Sequence, residues 1–187
     1  MRLAVVAALV TLTCGCSVVD NAVDRTEMEV EGVRLYISGL ITSRTPANFE
    51  NLLDENPQLR VVVPLDMAGT VDEAATYRMG DVIRASGLDT HLVAGSEIYS
   101  GGVSLFLAGN RRTMEQGAIV GVHSWADGFG EGSDYPRDAY EHVMNVEYTQ
   151  DMLGSDAFYW FTLQAAPSDG IHIMTRAEMQ RFGMLKQ

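Results

Sequence analysis

Cysteine and long apolar runs are scarce in this sequence. Its 187 residues contain two cysteines, Cys14 and Cys16, both near the amino terminus. A disulfide framework in the rest of the chain is therefore excluded. The apolar run over residues 3–13 is shorter than the roughly 20 residues that a membrane-spanning helix needs.

Motifs for nucleotides and metals are also missing. The sequence has no phosphate loop, no Gly-x-Gly-x-x-Gly and no Gly-x-Ser-x-Gly elbow. Its four histidines form no His-x-x-x-His pair and have no cysteine cluster beside them, which argues against a zinc site. A glycine- and acid-rich loop over residues 125–136 matches no EF-hand spacing. We predict that the protein uses no metal and no cofactor.

Basic residues are few: 13 lysines and arginines face 25 acidic residues, for a formal charge of −12. Such a balance argues against nucleic acid and anionic membrane surfaces as partners. Arg111 and Arg112 are typical of a solvated surface, although they also suit an anionic end of a substrate.

The amino-terminal segment has the order of an export signal: a basic start, an apolar run and then small residues before Cys16. It resembles a lipoprotein signal, with Cys16 as the lipidated residue and Cys14 as a second candidate. The alternatives are an ordinary signal peptide or an amino-terminal anchor. We expect residues 1–15 to be the signal, 16–31 a polar tether and 32–187 one domain that faces the periplasm.

Apolar patterning over the remainder alternates between strands and helices. Strands are predicted over 33–39, 59–65, 91–94 and 118–122, and helices over 46–56, 71–86, 103–108 and 137–153. The aromatic cluster within 156–164 is typical of a core or an oligomer interface. This alternation predicts an α/β fold with a mostly parallel sheet flanked by helices. Functional groups in such folds lie at the carboxyl ends of strands, where residues 66–69, Ser100 and His123 fall.

Ser100 and His123 suggest acyl-transfer chemistry. Ser100 lies between a strand-like run and an apolar helical stretch, and His123 follows a short apolar strand. A hydroxyl beside an imidazole that accepts its proton is an activated nucleophile. The alternative is that Ser100 only caps a helix and His123 is structural.

Five segments in order resemble the Clp protease proteolytic subunit and its crotonase-fold relatives. They are Leu35–Ile41, Val61–Thr70, Ser100–Gly109, Gly121–His123 and Met174–Leu185. The resemblance implies a Clp/crotonase-like fold built from repeated β-β-α and β-α units.

The resemblance also implies site residues. Ser100 and His123 match the family's nucleophile and base, and Asp169 falls roughly where the family has its aspartate. Asp127, or no carboxylate at all, remains open as the partner of His123. Backbone N–H groups of Gly69 or Ala68, and of Gly101, are expected to form the oxyanion hole.

Two departures from the family pattern bear on activity. Ala68 stands where a glycine is usual in the oxyanion turn, and Tyr99, before the serine, is large enough to narrow a cleft. We therefore expect either a lipid-anchored serine peptidase or an inactive relative that acts in binding or envelope assembly. The family resemblance implies a peptide or protein substrate and homo-oligomers, and the membrane is contacted only through the lipid.

Overall fold

The computed structural model describes residues 26–187. Ten strands alternate with six helices and two short 3-10 turns, at Gly132–Asp134 and Tyr140–His142. The helices are α1 (Thr45–Glu55), α2 (Glu73–Ala85), α3 (Gly101–Leu107), α4 (Val143–Leu153), α5 (Ala157–Ala165) and α6 (Arg176–Arg181). The strands are β1 (Thr26–Glu31), β2 (Arg34–Ile41), β3 (Val61–Pro64), β4 (Asp66–Met67), β5 (Gly69–Thr70), β6 (Asp89–Leu92), β7 (Glu97–Tyr99), β8 (Arg112–Met114), β9 (Ile119–Val122) and β10 (His172–Ile173).

The strands form two sheets. The larger has the order β1-β2-β3-β6-β8, with β5 also paired to β2, and the smaller has the order β10-β9-β7-β4. All pairs are parallel except β1 with β2 and β9 with β10. Successive strand pairs β3/β4, β6/β7 and β8/β9 each give one strand to each sheet. The predicted α/β class with a mostly parallel sheet flanked by helices is confirmed.

Part of the segment predicted to be a tether is a strand. β1 pairs along its whole length with β2, from Thr26 opposite Gly39 to Glu31 opposite Arg34. Met28 and Val30 pack against the core, whereas Glu27, Glu29 and Glu31, which alternate with them, are exposed. This period-two alternation is a strand signal that the acidic composition obscured. The predicted signal and Cys16 lie outside the described residues.

α3 is the most buried helix. Six of its seven residues are buried, all except Ser104, as its largely apolar sequence predicts. The helix predicted over residues 137–153 begins later: a 3-10 turn at Tyr140–His142 leads into α4. Within residues 26–187, no helix is long and apolar enough to cross a membrane.

Candidate active site

Three parallel strands bring the predicted site residues together. β4, β7 and β9 lie side by side, with Met67 opposite Ile98 and Ile98 opposite Val120. In this register Gly69, Ser100 and Val122 fall in the same row at the carboxyl ends of β4, β7 and β9, and His123 is the next residue. The strand pairing therefore brings these residues to one edge of the smaller sheet.

Ser100 has a strained backbone. Its φ is +49° and its ψ is −119°, and among residues 26–187 it is the one non-glycine residue with positive φ. Its hydroxyl makes no capping hydrogen bond to α3. Ser100 is therefore not an ordinary helix cap, because the hydrogen bond that defines such a cap is missing. Strain of this kind costs about 1–3 kcal/mol and is concentrated at functional sites.

Ser100 and His123 line one cavity of about 100 Å³ between β5, β9, α2, α3, α4 and α5. Since a cavity of roughly 150 Å³ holds benzene, this one has room for a single side chain or small acyl group. Its wall is largely apolar, from residues such as Val103, Leu107, Val122, Tyr148 and Phe158. Polar groups face it as well, including Thr70, Glu73, Ser104, Asn145 and Thr149.

The imidazole of His123 is oriented by the backbone carbonyl of the next residue. Its Nδ1 lies 2.6 Å from the carbonyl oxygen of Ser124. Because a carbonyl only accepts, Nδ1 carries the proton in this arrangement, and neutral His123 has its lone pair on Nε2. No hydrogen bond joins His123 to the Ser100 hydroxyl, although both residues face the cavity. The fold thus fixes the tautomer that a general base needs, with Nε2 free to accept a proton. It does not place Nε2 within hydrogen-bond distance of the Ser100 hydroxyl.

The predicted oxyanion turn lies against Ser100. Gly69 has φ +139°, a conformation that favours glycine, and a Cβ placed on it would lie 3.2 Å from the Cβ of Ser100 and 3.9 Å from the nitrogen of Gly101. Ala68 has no positive φ, so alanine is compatible with the backbone there. The departure at Ala68 is therefore no obstacle to an oxyanion hole made by backbone N–H groups.

Tyr99 does not narrow the cavity. Its ring covers Gly121 of the neighbouring strand, where an added Cβ would lie 2.4 Å from its Cδ1. The hydroxyl of Tyr99 lies 3.4 Å from the Glu97 carboxylate, and Tyr99 is not among the cavity residues. The large residue before Ser100 is accommodated on the side of the sheet away from the cavity.

No hydrogen bond joins Asp169 to His123. Asp169 is exposed, lies outside the cavity lining and makes no hydrogen bond or ion pair with any residue of 26–187. Asp127, the alternative, is engaged within its own loop, where its carboxylate accepts from the hydroxyl of Tyr135 at 2.7 Å and from the amides of Phe129 and Gly130. These bonds, the one from Tyr135 first, lower the pKa of Asp127.

Two carboxylates near the site were not selected from the sequence. Glu131 accepts hydrogen bonds from the amide and hydroxyl of Ser168. Glu73, at the start of α2, faces the cavity and accepts from the Tyr77 hydroxyl at 3.0 Å. Glu131 carries no sequence signal, because its contact with Ser168 joins residues 37 apart through tertiary folding. The Glu73–Tyr77 contact is local to α2, but the sequence does not show that Glu73 faces the cavity. Within residues 26–187 no cluster of histidine, cysteine and acidic residues is suited to hold a metal.

No family model matches the sequence, and no curated protein is similar to it in sequence. Solved structures are similar in fold. One is the membrane-bound stomatin-specific protease 1510-N, as a lysine-to-alanine mutant in complex with a substrate peptide. Its sequence is 16% identical to this chain, and the TM-score is 0.51 over 84% of this chain and 75% of that one. A serine-to-alanine mutant of 1510-N is 16% identical, with a TM-score of 0.53 over 84% and 79%.

An enoyl-CoA hydratase/isomerase family member is 11% identical, with a TM-score of 0.53 over 86% of this chain and 68% of that one. A putative enoyl-CoA hydratase from Streptomyces avermitilis is 13% identical, with a TM-score of 0.51 over 86% and 65%. At these identities the likeness concerns the fold alone. The chain has the Clp/crotonase fold, as its ordered motifs predicted.

Proposed function

We propose that this protein is a serine hydrolase that cleaves peptide bonds, with Ser100 as nucleophile and His123 as general base. The observation that carries the proposal is the conformation of Ser100. A serine held at positive φ at a strand end, facing a cavity and not capping its helix, has a costly geometry that structural roles do not require.

The proposed reaction begins with attack of the Ser100 Oγ on the substrate carbonyl carbon. As the O–C bond forms, the hydroxyl proton passes to Nε2 of His123, and the imidazolium then gives this proton to the leaving amine as the C–N bond breaks. The Nδ1 proton stays on the bond to the Ser124 carbonyl throughout. Water then hydrolyses the acyl-enzyme with His123 again acting as base.

The negative charge of the tetrahedral intermediate needs donors beside Ser100. We assign this role to the backbone N–H of Gly101 and to the Ala68–Gly69 turn. The proximity of Gly69 to both Ser100 and the Gly101 nitrogen supports the assignment. Removing one such donor in other enzymes lowers kcat by about 10²–10³.

Histidine rather than lysine suits the role of base in this chain. Some serine hydrolases use a Ser–Lys pair. The sequence has one lysine, Lys186, which pairs through its backbone with Arg112 at the far edge of the larger sheet and does not line the cavity. His123 is the basic side chain that shares the cavity with Ser100.

A peptide is favoured over an acyl-CoA thioester because of the expected location. We propose that the protein is exported, lipidated at Cys16, and held on the membrane with its domain facing the periplasm. Coenzyme A is a cytoplasmic compound, whereas peptides and protein segments are available outside. The similar protease 1510-N, described as membrane-bound and bound to a substrate peptide, agrees with this choice of substrate class.

A second candidate is a non-catalytic protein that keeps the fold for binding or envelope assembly. The observation that favours it is the missing hydrogen bond between Ser100 and His123. In enzymes without substrate this contact is often long, so the observation does not outweigh the strained serine.

A fluorophosphonate probe separates the two candidates because it labels only serines that an adjacent base activates. We expect labelling of the wild type, loss of labelling in Ser100→Ala, and loss of most of it in His123→Ala. The matched control is Ser104→Ala, since Ser104 faces the same cavity one turn along α3 and should label like the wild type. Equal absence of labelling in all four proteins would favour the binding role.

A further inference from the structure

Glu131 is tied to the segment that carries His123. Its backbone forms a β-bridge with Ala126, and the amide of the next residue, Gly132, donates to the Trp125 carbonyl at 2.7 Å. Gly132 lies directly on the Trp125 ring, since an added Cβ would be 2.6 Å from Cε2. The loop therefore folds back onto residues 124–126 and holds Glu131 beside them.

The carboxylate of Glu131 joins this loop to the turn before β10. It accepts from the amide of Ser168 at 3.1 Å and from the Ser168 hydroxyl at 2.5 Å. The same turn is bound to the histidine segment by the amide of Ser124, which donates to the Ala166 carbonyl at 2.9 Å. Glu131 thus lies where the histidine segment and the 166–168 turn meet.

The Glu131 carboxylate has neighbours that favour its charged form. The hydrogen bond from the Ser168 hydroxyl is the main cause that lowers the pKa of Glu131, with smaller contributions from the Ser168 amide, the Ser124 hydroxyl and the His123 imidazole. The carboxylate is therefore ionised at neutral pH and close enough to interact with the imidazole. Asp127 is engaged by Tyr135, and Asp169 has no hydrogen bond or ion pair, so neither offers His123 a comparable partner.

We infer that Glu131 is the positioning carboxylate of this site, stabilising protonated His123 while the Ser124 carbonyl holds its Nδ1 proton. The inference rests on the proposed function and deepens it. When the Ser100 proton moves to Nε2, a positive imidazolium forms in a largely apolar cavity, and a fixed negative charge nearby lowers its energy. Glu131 does this from the loop that also carries the alternative, Asp127, and not from the segment of Asp169.

The test measures His123 directly and requires no turnover. We would follow the four histidines of the full chain by NMR against pH, assigning His123 by the signal lost in His123→Gln. In Glu131→Gln the midpoint of the His123 titration should fall by about 0.5 pH unit, the size expected for a partly exposed charge pair. Asp169→Asn should leave the midpoint within about 0.1 unit of the wild type.

Two controls separate charge from loop structure. Ser168→Ala removes the hydroxyl that donates to Glu131 but keeps the carboxylate. The midpoint of the His123 titration should therefore stay near the wild-type value even if stability falls. Glu73→Gln tests the acidic group that shares the cavity with His123, where the other titratable neighbours are Tyr77, Tyr148 and Tyr159. A larger shift in Glu73→Gln or Asp169→Asn than in Glu131→Gln would overturn the inference.

The pH profile of fluorophosphonate labelling gives a second readout. Labelling needs neutral His123, so its acid limb should move to lower pH in Glu131→Gln by the same amount as the NMR midpoint. A shifted midpoint without any labelling would retain Glu131 as the partner of His123 while rejecting the proposed hydrolase. An unshifted midpoint with normal labelling would retain the hydrolase and reject Glu131.

Discussion

Arg84 and Arg112 donate to the same backbone carbonyl, that of Leu107 at the end of α3, at 3.0 and 3.4 Å. Arg84 also reaches the carbonyls of Ala108 and Met152, and Arg112 those of Gly109, Gly183 and Met184. Two cations therefore satisfy the carbonyl end of the helix whose other end presents Ser100. Arg112, which the sequence suggested to be a solvated residue, is only 4% exposed.

Replacing Arg112 should destabilise the fold strongly. Burial first, and the charge of Arg84 second, lower the pKa of Arg112 to about 10, so it remains a cation at neutral pH. Arg112→Ala leaves buried carbonyls without donors and should lower the free energy of unfolding by about 2–4 kcal/mol. Urea denaturation measures this, with the exposed neighbour in Arg111→Ala as the control, expected within about 0.5 kcal/mol of the wild type. An Arg112→Ala protein as stable as Arg111→Ala would contradict the role.

The strain at Ser100 predicts an unusual order of stabilities. Ser100→Gly relieves the positive φ, whereas Ser100→Ala keeps a Cβ there, and both remove the nucleophile. With strain of about 1–3 kcal/mol and a glycine entropy cost of about 0.5–1 kcal/mol, the glycine variant should be about 1 kcal/mol more stable than the alanine variant. Urea denaturation of the two proteins checks this. The reverse order would mean that the Ser100 backbone is not strained.

Gly121 should be intolerant of any side chain because of Tyr99. In Gly121→Ala the new Cβ would overlap the Tyr99 ring, and overpacking of this kind costs about 1–3 kcal/mol. The strand bearing His123 would move, so fluorophosphonate labelling of Ser100 should fall as well. Combining Gly121→Ala with Tyr99→Ala should restore much of the labelling. If the double variant labels no better than Gly121→Ala, the ring is not the obstacle.

Much of the fold was predictable because its signals are local. The continuous apolar run at β3, the proline at the start of α1 and Gly87 after α2 each report on a few neighbouring residues. The Thr175–Glu178 capping box likewise starts α6 where the motif predicted a helix. Parallel pairing then follows from alternation, and it brings Ser100 and His123 to one sheet edge.

The partner of His123 was not predictable in the same way. Glu131 meets Ser168 across 37 residues, through a glycine-rich loop whose path depends on packing against Trp125. No spacing rule in the sequence reports such a contact. The hydrogen bond from His123 to the Ser124 carbonyl could not be predicted from the sequence for another reason. Every residue has a backbone acceptor, and only the geometry shows which one His123 uses.

Cys16 gives a prediction about location that does not depend on catalysis. If Cys16 carries the lipid, the wild-type chain should partition into the detergent phase after expression, and Cys16→Ala should move to the aqueous phase. Cys14→Ala is the matched control and should partition like the wild type. Mass spectrometry of the mature amino terminus identifies the modified residue. Detergent partitioning that persists in a Cys14→Ala, Cys16→Ala double variant would exclude lipid attachment at this motif.

Glu73 should make stability depend on pH. A ring of hydrogen bonds joins Glu73, Tyr77 and Asn145. The Tyr77 hydroxyl donates to the Asn145 Oδ1 at 2.6 Å, and the Asn145 Nδ2 donates to the Glu73 carboxyl. The Tyr77 hydroxyl has one proton, so the ring is complete only when Glu73 is protonated and donates to the Tyr77 oxygen. Although Glu73 is an exposed residue, burial of its carboxyl raises its pKa above 4.5. The folded state therefore binds more protons than the unfolded state between pH 4.5 and the raised value, and stability falls as pH rises through that interval. Glu73→Gln imitates the protonated group, so it should match the wild type at pH 4 and exceed it at pH 8 in urea denaturation. The same stability difference at both pH values would show that Glu73 does not change its protonation on folding.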